Sequence, residues 1–456
     1  MLKKYFPYIL FFAYILLLSY YQVDNSVSCN LFLTIACLVA YISCLYTWLH
    51  NGNRLYSLYV IFVLYAMLSN LGQSILFLFG MPSEDLLLYT RESMDEINNM
   101  LLFQGLCISA FNVGVSLYLR RRGHTLTHDD QIELQSSTVT KAKTGNDAAL
   151  NVLLFISLGY AVITCLQMII LRQEVDYMKL YEIRTADGGN VFTAFLTFLS
   201  LFLGIRALLK DQNRRLVISC YIFLILGYMV TGSRGLAFPY IGVLLAVVPG
   251  IYPKYFKGKY NIIWLSTFFL FLIISGMISI TRGSTLNNAS IVRGSAFDFI
   301  TGAVSEMGAS ARPAVITMSM NDHGFPHFQT ILYTLITYLI PLTNKIPLLE
   351  TQNIVLSDWV TSMADSNSGL GYSFIAEAYM NYGWFGCIFV GIYGWFIVFA
   401  ENKSYQLLRT GVNFFTIALL LILCKQIFYA RAEILMVGST LRFCLYCYIV
   451  SLFIKK

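Results

Sequence analysis

The stretch Cys29–Leu49, CNLFLTIACLVAYISCLYTWL, runs for 21 residues without one Asp, Glu, Lys or Arg. Coiled as a helix at 1.5 Å per residue it is about 30 Å long, the thickness of the hydrocarbon core of a bilayer. A soluble helix of that length would need a polar face, and this stretch has none. The same pattern recurs on either side. Spans are expected at Tyr5–Gln22, Cys29–Leu49, Tyr56–Phe79, Leu101–Leu119, Leu150–Leu171, Val191–Leu209 and Leu216–Thr231. They continue at Ala237–Tyr252, Tyr260–Ile280, Tyr379–Ala400, Gly411–Tyr429 and Ile434–Ile454. The fold class that follows is all-α: a polytopic membrane bundle of about twelve helices.

Composition agrees. Of the 456 residues, 57% are hydrophobic and 12% charged, with a mean hydropathy of +0.66, whereas a soluble domain carries about 25% charged residues. The net charge of +7 reads as cytoplasmic loop anchoring, and nucleic acid is not an expected partner. The cysteines sit almost entirely inside apolar runs, as Cys37, Cys44, Cys107, Cys220 and Cys424 do, and behave there as small hydrophobes. Cys444 and Cys447 form a CxxC with no second pair, so no metal site is expected. The start, Lys3 and Lys4 before an apolar run to about Tyr21, lacks a small-x-small cleavage site. It reads as a retained first helix.

An even number of spans puts both termini on one side. With the N-terminus inside, Lys and Arg are nearly twofold in excess on the inner segments. Both termini are therefore expected in the cytoplasm. Residues 1–456 are expected to form a single integral membrane domain. Its inner segment 120–149 is polar and expected to be flexible. The outer face carries one long excursion, residues 282–378, within which Phe328–Pro341 reads as an interfacial or re-entrant helix.

Chemistry is expected on that outer face. Thr231-Gly-Ser-Arg-Gly235 places Arg234 at the membrane boundary between two glycines, where a guanidinium suits either a lipid-linked phosphate or an ordinary headgroup. The long segment opens with Arg282-Gly-Ser, repeats the tripeptide at Arg293-Gly-Ser, and adds Arg312. Cations on the positive-poor side call for an anion such as pyrophosphate, unless they form structural ion pairs or a solvated patch. Further on, Gly369-Leu-Gly-Tyr-Ser-Phe-Ile-Ala-Glu-Ala-Tyr-Met-Asn-Tyr-Gly-Trp-Phe-Gly386 leads into the next span. A helix from Ser373 would set Ser373, Glu377, Asn381 and Trp384 on one face. Glu377 there could take a proton or pair with an arginine. Arg442 lies deep in the last span, where a guanidinium needs a polar partner, while Lys425 and Arg206 can snorkel to helix ends. His323 and His327 are spaced His-x-x-x-His, but Gly324 and Pro326 oppose the helix that metal binding would require, which leaves a general-base role open. No Walker A, GxSxG or dinucleotide fingerprint is present.

The Gly369–Gly386 element resembles the segment that follows the large periplasmic loop in Wzy-type O-antigen polymerases, and the Gly-Ser-Arg-Gly turn at Arg234 is similar to one in O-antigen polymerases and ligases. The layout of about twelve helices with one large late outer loop is similar too. The resemblance implies a membrane-embedded C-type glycosyltransferase of the bacterial inner membrane that uses neither cofactor nor metal. Its substrates would be undecaprenyl-pyrophosphate-linked oligosaccharides, and a chain-length regulator protein would be a partner. It implies that the turn arginine is Arg234 and the glutamate element Glu377, with Arg282, Arg293 and Arg312 as the loop arginines. An O-antigen ligase, or a polysaccharide flippase, is the alternative.

Overall fold

The computed structural model describes residues 2–20, 25–53, 57–121, 147–176, 191–252, 295–320, 356–364, 370–410 and 414–455, with positions 55, 179, 180, 183, 274, 330 and 331 between them. Among the described residues every regular element is a helix. In chain order these are α1 Leu2–Tyr20, α2 Val27–His50, α3 Leu58–Leu78, α4 Leu87–Arg91, α5 Met94–Arg121, α6 Asp147–Glu174, α7 Val191–Leu209 and α8 Arg214–Val230. They continue as α9 Arg234–Ile251, α10 Ala296–Gly308, α11 Arg312–Ser319, α12 Leu356–Met363, α13 Phe374–Tyr382, α14 Gly386–Thr410, α15 Phe414–Gln426 and α16 Leu435–Lys455.

Eleven of the twelve expected spans coincide with these helices. The twelfth, 260–280, lies outside the described residues except for position 274, and so does most of 328–341 and of 120–149. Among the described residues, seven stretches, including Val27–His50, Met94–Arg121 and Phe374–Ser404, are long and apolar enough to cross a membrane. The shorter apolar helices Tyr5–Ser19 and Gly235–Pro249 accompany them. The protein is a multi-pass membrane helix bundle.

The chain divides into two compact units. Unit 1 comprises 1–128, 304–401 and 428–438; unit 2 comprises 129–303, 402–427 and 439–456.

In unit 1, α5 packs along α1 and α2, and α2 along α3. Lipid is as apolar as leucine, so burial of leucine alone does not hold such helices together; close packing and hydrogen bonds do. Asn30 donates from Nδ2 to Asn98 Oδ1 at 2.8 Å, Gln104 Nε2 to the Tyr41 hydroxyl at 3.2 Å, and Asn112 Nδ2 to Ser43 Oγ at 2.8 Å. These three bonds form a polar ladder between α2 and α5. On another face of α5, Gly114 meets the Gly391 backbone of α14 so closely that a Cβ at Gly114 would strike the Gly391 carbonyl oxygen. At the start of α3, the Ser57 hydroxyl caps Val60 N–H at 3.1 Å, and the buried Glu401 carboxylate accepts from Tyr59 N–H at 3.0 Å. An acid at a helix N-terminus meets the positive end of the helix dipole.

In unit 2, α6 and α7 pair, α8 packs on α9, and α9 packs on α15. Tyr221 on α8 is fully buried and donates to the Ser200 carbonyl of α7 at 2.9 Å. Its ring fits because Gly204 leaves space for it, and Gly227 does the same for Cys165 of α6.

Candidate functional site

The element that begins at Gly371 is shaped by its small and capping residues. A Cβ at Gly371 would come within 3.3 Å of the Arg431 carbonyl oxygen, so this glycine lets the strand-like lead-in lie against residues 429–434. Ser373 then caps α13: its backbone is extended, and its hydroxyl accepts from Ala376 N–H at 3.2 Å. Glu377 follows in the first turn of α13 and is 1% exposed.

The Glu377 carboxylate is held from across the unit. Its Oε2 accepts from the Tyr429 hydroxyl at 2.9 Å and from Ile434 N–H at 2.8 Å. One turn along α13, Asn381 donates from Nδ2 to the Glu377 carbonyl at 2.8 Å and also to Thr330 Oγ1. A second acid stands close enough to Glu377 for the two carboxyl groups to interact electrostatically: Glu433, 8% exposed. Its Oε2 accepts from Leu356 N–H, the first residue of α12, at 2.8 Å. Burial is the main cause that pushes the Glu433 carboxyl up to about 7; the Leu356 N–H opposes it and Asp358 adds to it.

The expectation of one continuous face from Ser373 to Trp384 is corrected by the backbone. α13 stops at Tyr382 because Gly383 turns into the left-handed region, φ +56°. Trp384 falls in the short 3-10 turn that follows, and its indole packs edge-on to Phe103 of α5, 5.4 Å between centroids. Ser373, Glu377 and Asn381 stay together; Trp384 leaves them.

Arg312 opens α11, which packs on both α5 and α13. It is 9% exposed, and its Nε donates to Glu92 Oε1 in a buried ion pair. Burial raises the Glu92 pKa in spite of the opposing Arg312 charge. α11 is tied to the site by the Thr317 and Tyr372 hydroxyls, 3.1 Å apart.

The remaining expected residues distribute as follows. Glu377, Asn381 and Arg312 belong to unit 1. Arg234, the first residue of α9, and Arg442, on α16 with its guanidinium 5.6 Å from the Phe443 ring centre, belong to unit 2. Arg282, Arg293, His323 and His327 lie outside the described residues. Sequence reasoning did not single out Tyr429, Glu433 or Glu92. The one local signal for the first two was the polar run Arg431-Ala-Glu433 between two apolar spans.

Apolar helices fixed by buried amides, with a pair of acids enclosed among them, define an integral membrane protein with a polar interior. The family model of the O-antigen polysaccharide polymerase Wzy matches residues 5–456, and the chain belongs to that family. No curated protein and no solved structure matches it.

Proposed function

We propose that this chain joins undecaprenyl-pyrophosphate-linked oligosaccharide repeat units on the periplasmic face of the inner membrane, with both termini in the cytoplasm. In this reading it is a glycosyltransferase: the growing glycan leaves its lipid pyrophosphate and passes to a new lipid-linked unit. A chain-length regulator would act beside it. Membership of the polymerase family supports the reaction class. The observation that carries the site is Glu377, an acid enclosed in a membrane bundle with its carboxylate aimed by two fixed donors.

The chemistry is simple to balance. The bond between the anomeric carbon and the pyrophosphate oxygen breaks through an oxocarbenium-like state, and the acceptor hydroxyl oxygen bonds to that carbon. The hydroxyl proton goes to a base, and the lipid pyrophosphate leaves with the electron pair. Glu377 is the proposed base, with His323 and His327 as rivals, and Asn381 the proposed glycan contact. Arg234, Arg282, Arg293, Arg312 and Arg442 are proposed to meet the developing pyrophosphate charge. A guanidinium has five donors, and Glu92 takes the one on Arg312 Nε.

One observation favours a second reading of Glu377. The carboxylate ties α13 to the residue before α16 through Ile434 N–H, so it also serves as a structural latch. Glu377→Gln separates the two. A glutamine oxygen still accepts from Tyr429 and Ile434 but takes up no proton. If Glu377 is the base, the Gln variant inserts normally, yet cells make lipid A core capped with a single repeat unit, seen on a gel of surface polysaccharide. Long-chain polysaccharide from Glu377→Gln, with its loss in Glu377→Ala, would leave the latch alone standing. A deletion strain with no capped core at all would favour ligase or flippase.

A further inference from the structure

Glu433 and Ile434 lie between the 3-10 turn Ile427–Arg431 and α16 and belong to neither, so no helical ladder holds the peptide that joins them. Ile434 N–H sits on that peptide, and it is one of the two donors that aim Glu377. If it swung away, a buried carboxylate oxygen would lose a partner. The backbone fastenings nearby stop short of it. Asn70 Nδ2 of α3 donates to the Ala430 carbonyl at 3.2 Å, and Ala432 N–H to the Tyr429 carbonyl at 3.3 Å, both ahead of Glu433. Gly438 N–H donates to the Ile434 carbonyl at 3.3 Å, on the far side of the residue.

Glu433 is fastened by its side chain instead. Its Oε2 accepts from Leu356 N–H at 2.8 Å, and Ser357 adds its own donors. These two residues open α12, within the long segment 282–378. α2, α3 and α13 are each capped by the serine just before them, Ser26, Ser57 and Ser373. Val355, ahead of α12, has no side-chain acceptor; Glu433 supplies one from 77 residues on. The positive end of the helix holds the carboxylate in return. α12 is itself seated, through buried Leu356 and Val360, against α11, and Leu370 N–H donates to Thr361 Oγ1 at 2.8 Å.

We propose that Glu433 is a positioning residue for Glu377: anchored on the start of α12, it holds the Glu433–Ile434 peptide where its N–H aims the Glu377 carboxylate. Glu433 thereby links a helix of the long segment to the acid of the site. That Glu377 is the base rests on the polymerase reading above; the positioning does not.

The test uses the full chain in detergent micelles and the infrared C=O band of the Glu377 carboxyl in its protonated form. The band is isolated as the difference from the same chain carrying Glu377→Gln. Glu433→Gln keeps an oxygen that accepts from Leu356 N–H, and leaves the band where wild type has it. Glu433→Ala loses the anchor, and the band moves to higher frequency, as a C=O relieved of a donor does. Leu356→Pro gives the same shift to a smaller extent, since proline fits the first position of a helix but brings no N–H, while Ser357 remains. An unmoved band in Glu433→Ala, or in Leu356→Pro where the Ala variant does not fold, overturns the inference. Equal shifts in Glu433→Gln and Glu433→Ala overturn it too, since the effect would then follow the charge and not the anchor. No sugar transfer enters these measurements. An unmoved band therefore leaves the polysaccharide gel on Glu377 untouched, and the reverse holds too.

Discussion

Unit 1 and unit 2 are both apolar bundles, yet they spend their polar residues differently. Unit 1 turns them inward and closes them on one another: amide to amide between α2 and α5, acid to N–H at α3, α12 and the start of α16, guanidinium to carboxylate between α11 and the residue after α4. Among the described residues, unit 2 joins its helices through hydroxyls, Tyr221 to the Ser200 carbonyl and Tyr160 to Thr193, and leaves a cavity of about 670 Å³ edged with tyrosine, threonine and lysine. The contrast teaches that polar content in a membrane bundle serves two ends. Satisfied in pairs, it fixes helices; gathered around a space, it lines a cavity.

The contrast can be broken most severely at the α5–α14 contact. Gly114→Val drives a side chain into the Gly391 backbone, and overpacking of this kind costs about 3 kcal/mol. The expected result is the largest fall in melting temperature of any substitution considered, measured on the detergent-purified chain. A Val variant that melts with wild type would mean that α5 and α14 do not touch as described.

The next effect is a pH dependence. The Glu433 carboxyl lies at about 7 in the fold against 4.5 as its ordinary value, so folding favours its protonated form. The stability it contributes is fully present below about 4.5 and is lost as pH rises through 7, a change on the order of 3 kcal/mol. Melting temperature should therefore fall between pH 5 and pH 8, and Glu433→Gln should flatten that slope. An unchanged slope in the Gln variant would assign the titration to another group.

The smallest effect sharpens the comparison. Asn112→Leu removes one rung of the α2–α5 ladder, and a hydrogen bond of this sort inside a membrane averages about 0.6 kcal/mol. Tyr221→Phe in unit 2 should cost about the same, since it too deletes one interhelical bond. If both melt as wild type does, close packing alone holds the helices, and the ladder serves to fix their register.

The spans were legible because an unbroken apolar run near 20 residues has few other uses. The local frame of the site was legible as well. Ser373, Glu377 and Asn381 sit at helical spacing, and the capping serine is where a helix start wants it. What failed locally was Trp384, since a helical face continues only as far as the helix does, and Gly383 ends it. The partners could not be read, for a different reason. Tyr429 and Ile434 lie 52 and 57 residues beyond Glu377, and Glu92 lies 220 residues before Arg312. Periodicity reports which side of a helix is polar, whereas long-range packing decides which polar group it meets.

The Glu92–Arg312 pair has a consequence for how the protein is made. At roughly 5–20 residues per second, the 220 residues between them take about 10 to 40 s to synthesise. Through that interval the Glu92 carboxyl waits without the cation that will accompany it into the bundle. Glu377 waits less than a quarter as long for Tyr429, 52 residues on. Nascent chains stalled just short of Arg312 should therefore hold Glu92 in contact with water, and unit 1 cannot bury that acid with its partner until the ribosome is well into the second half of the message.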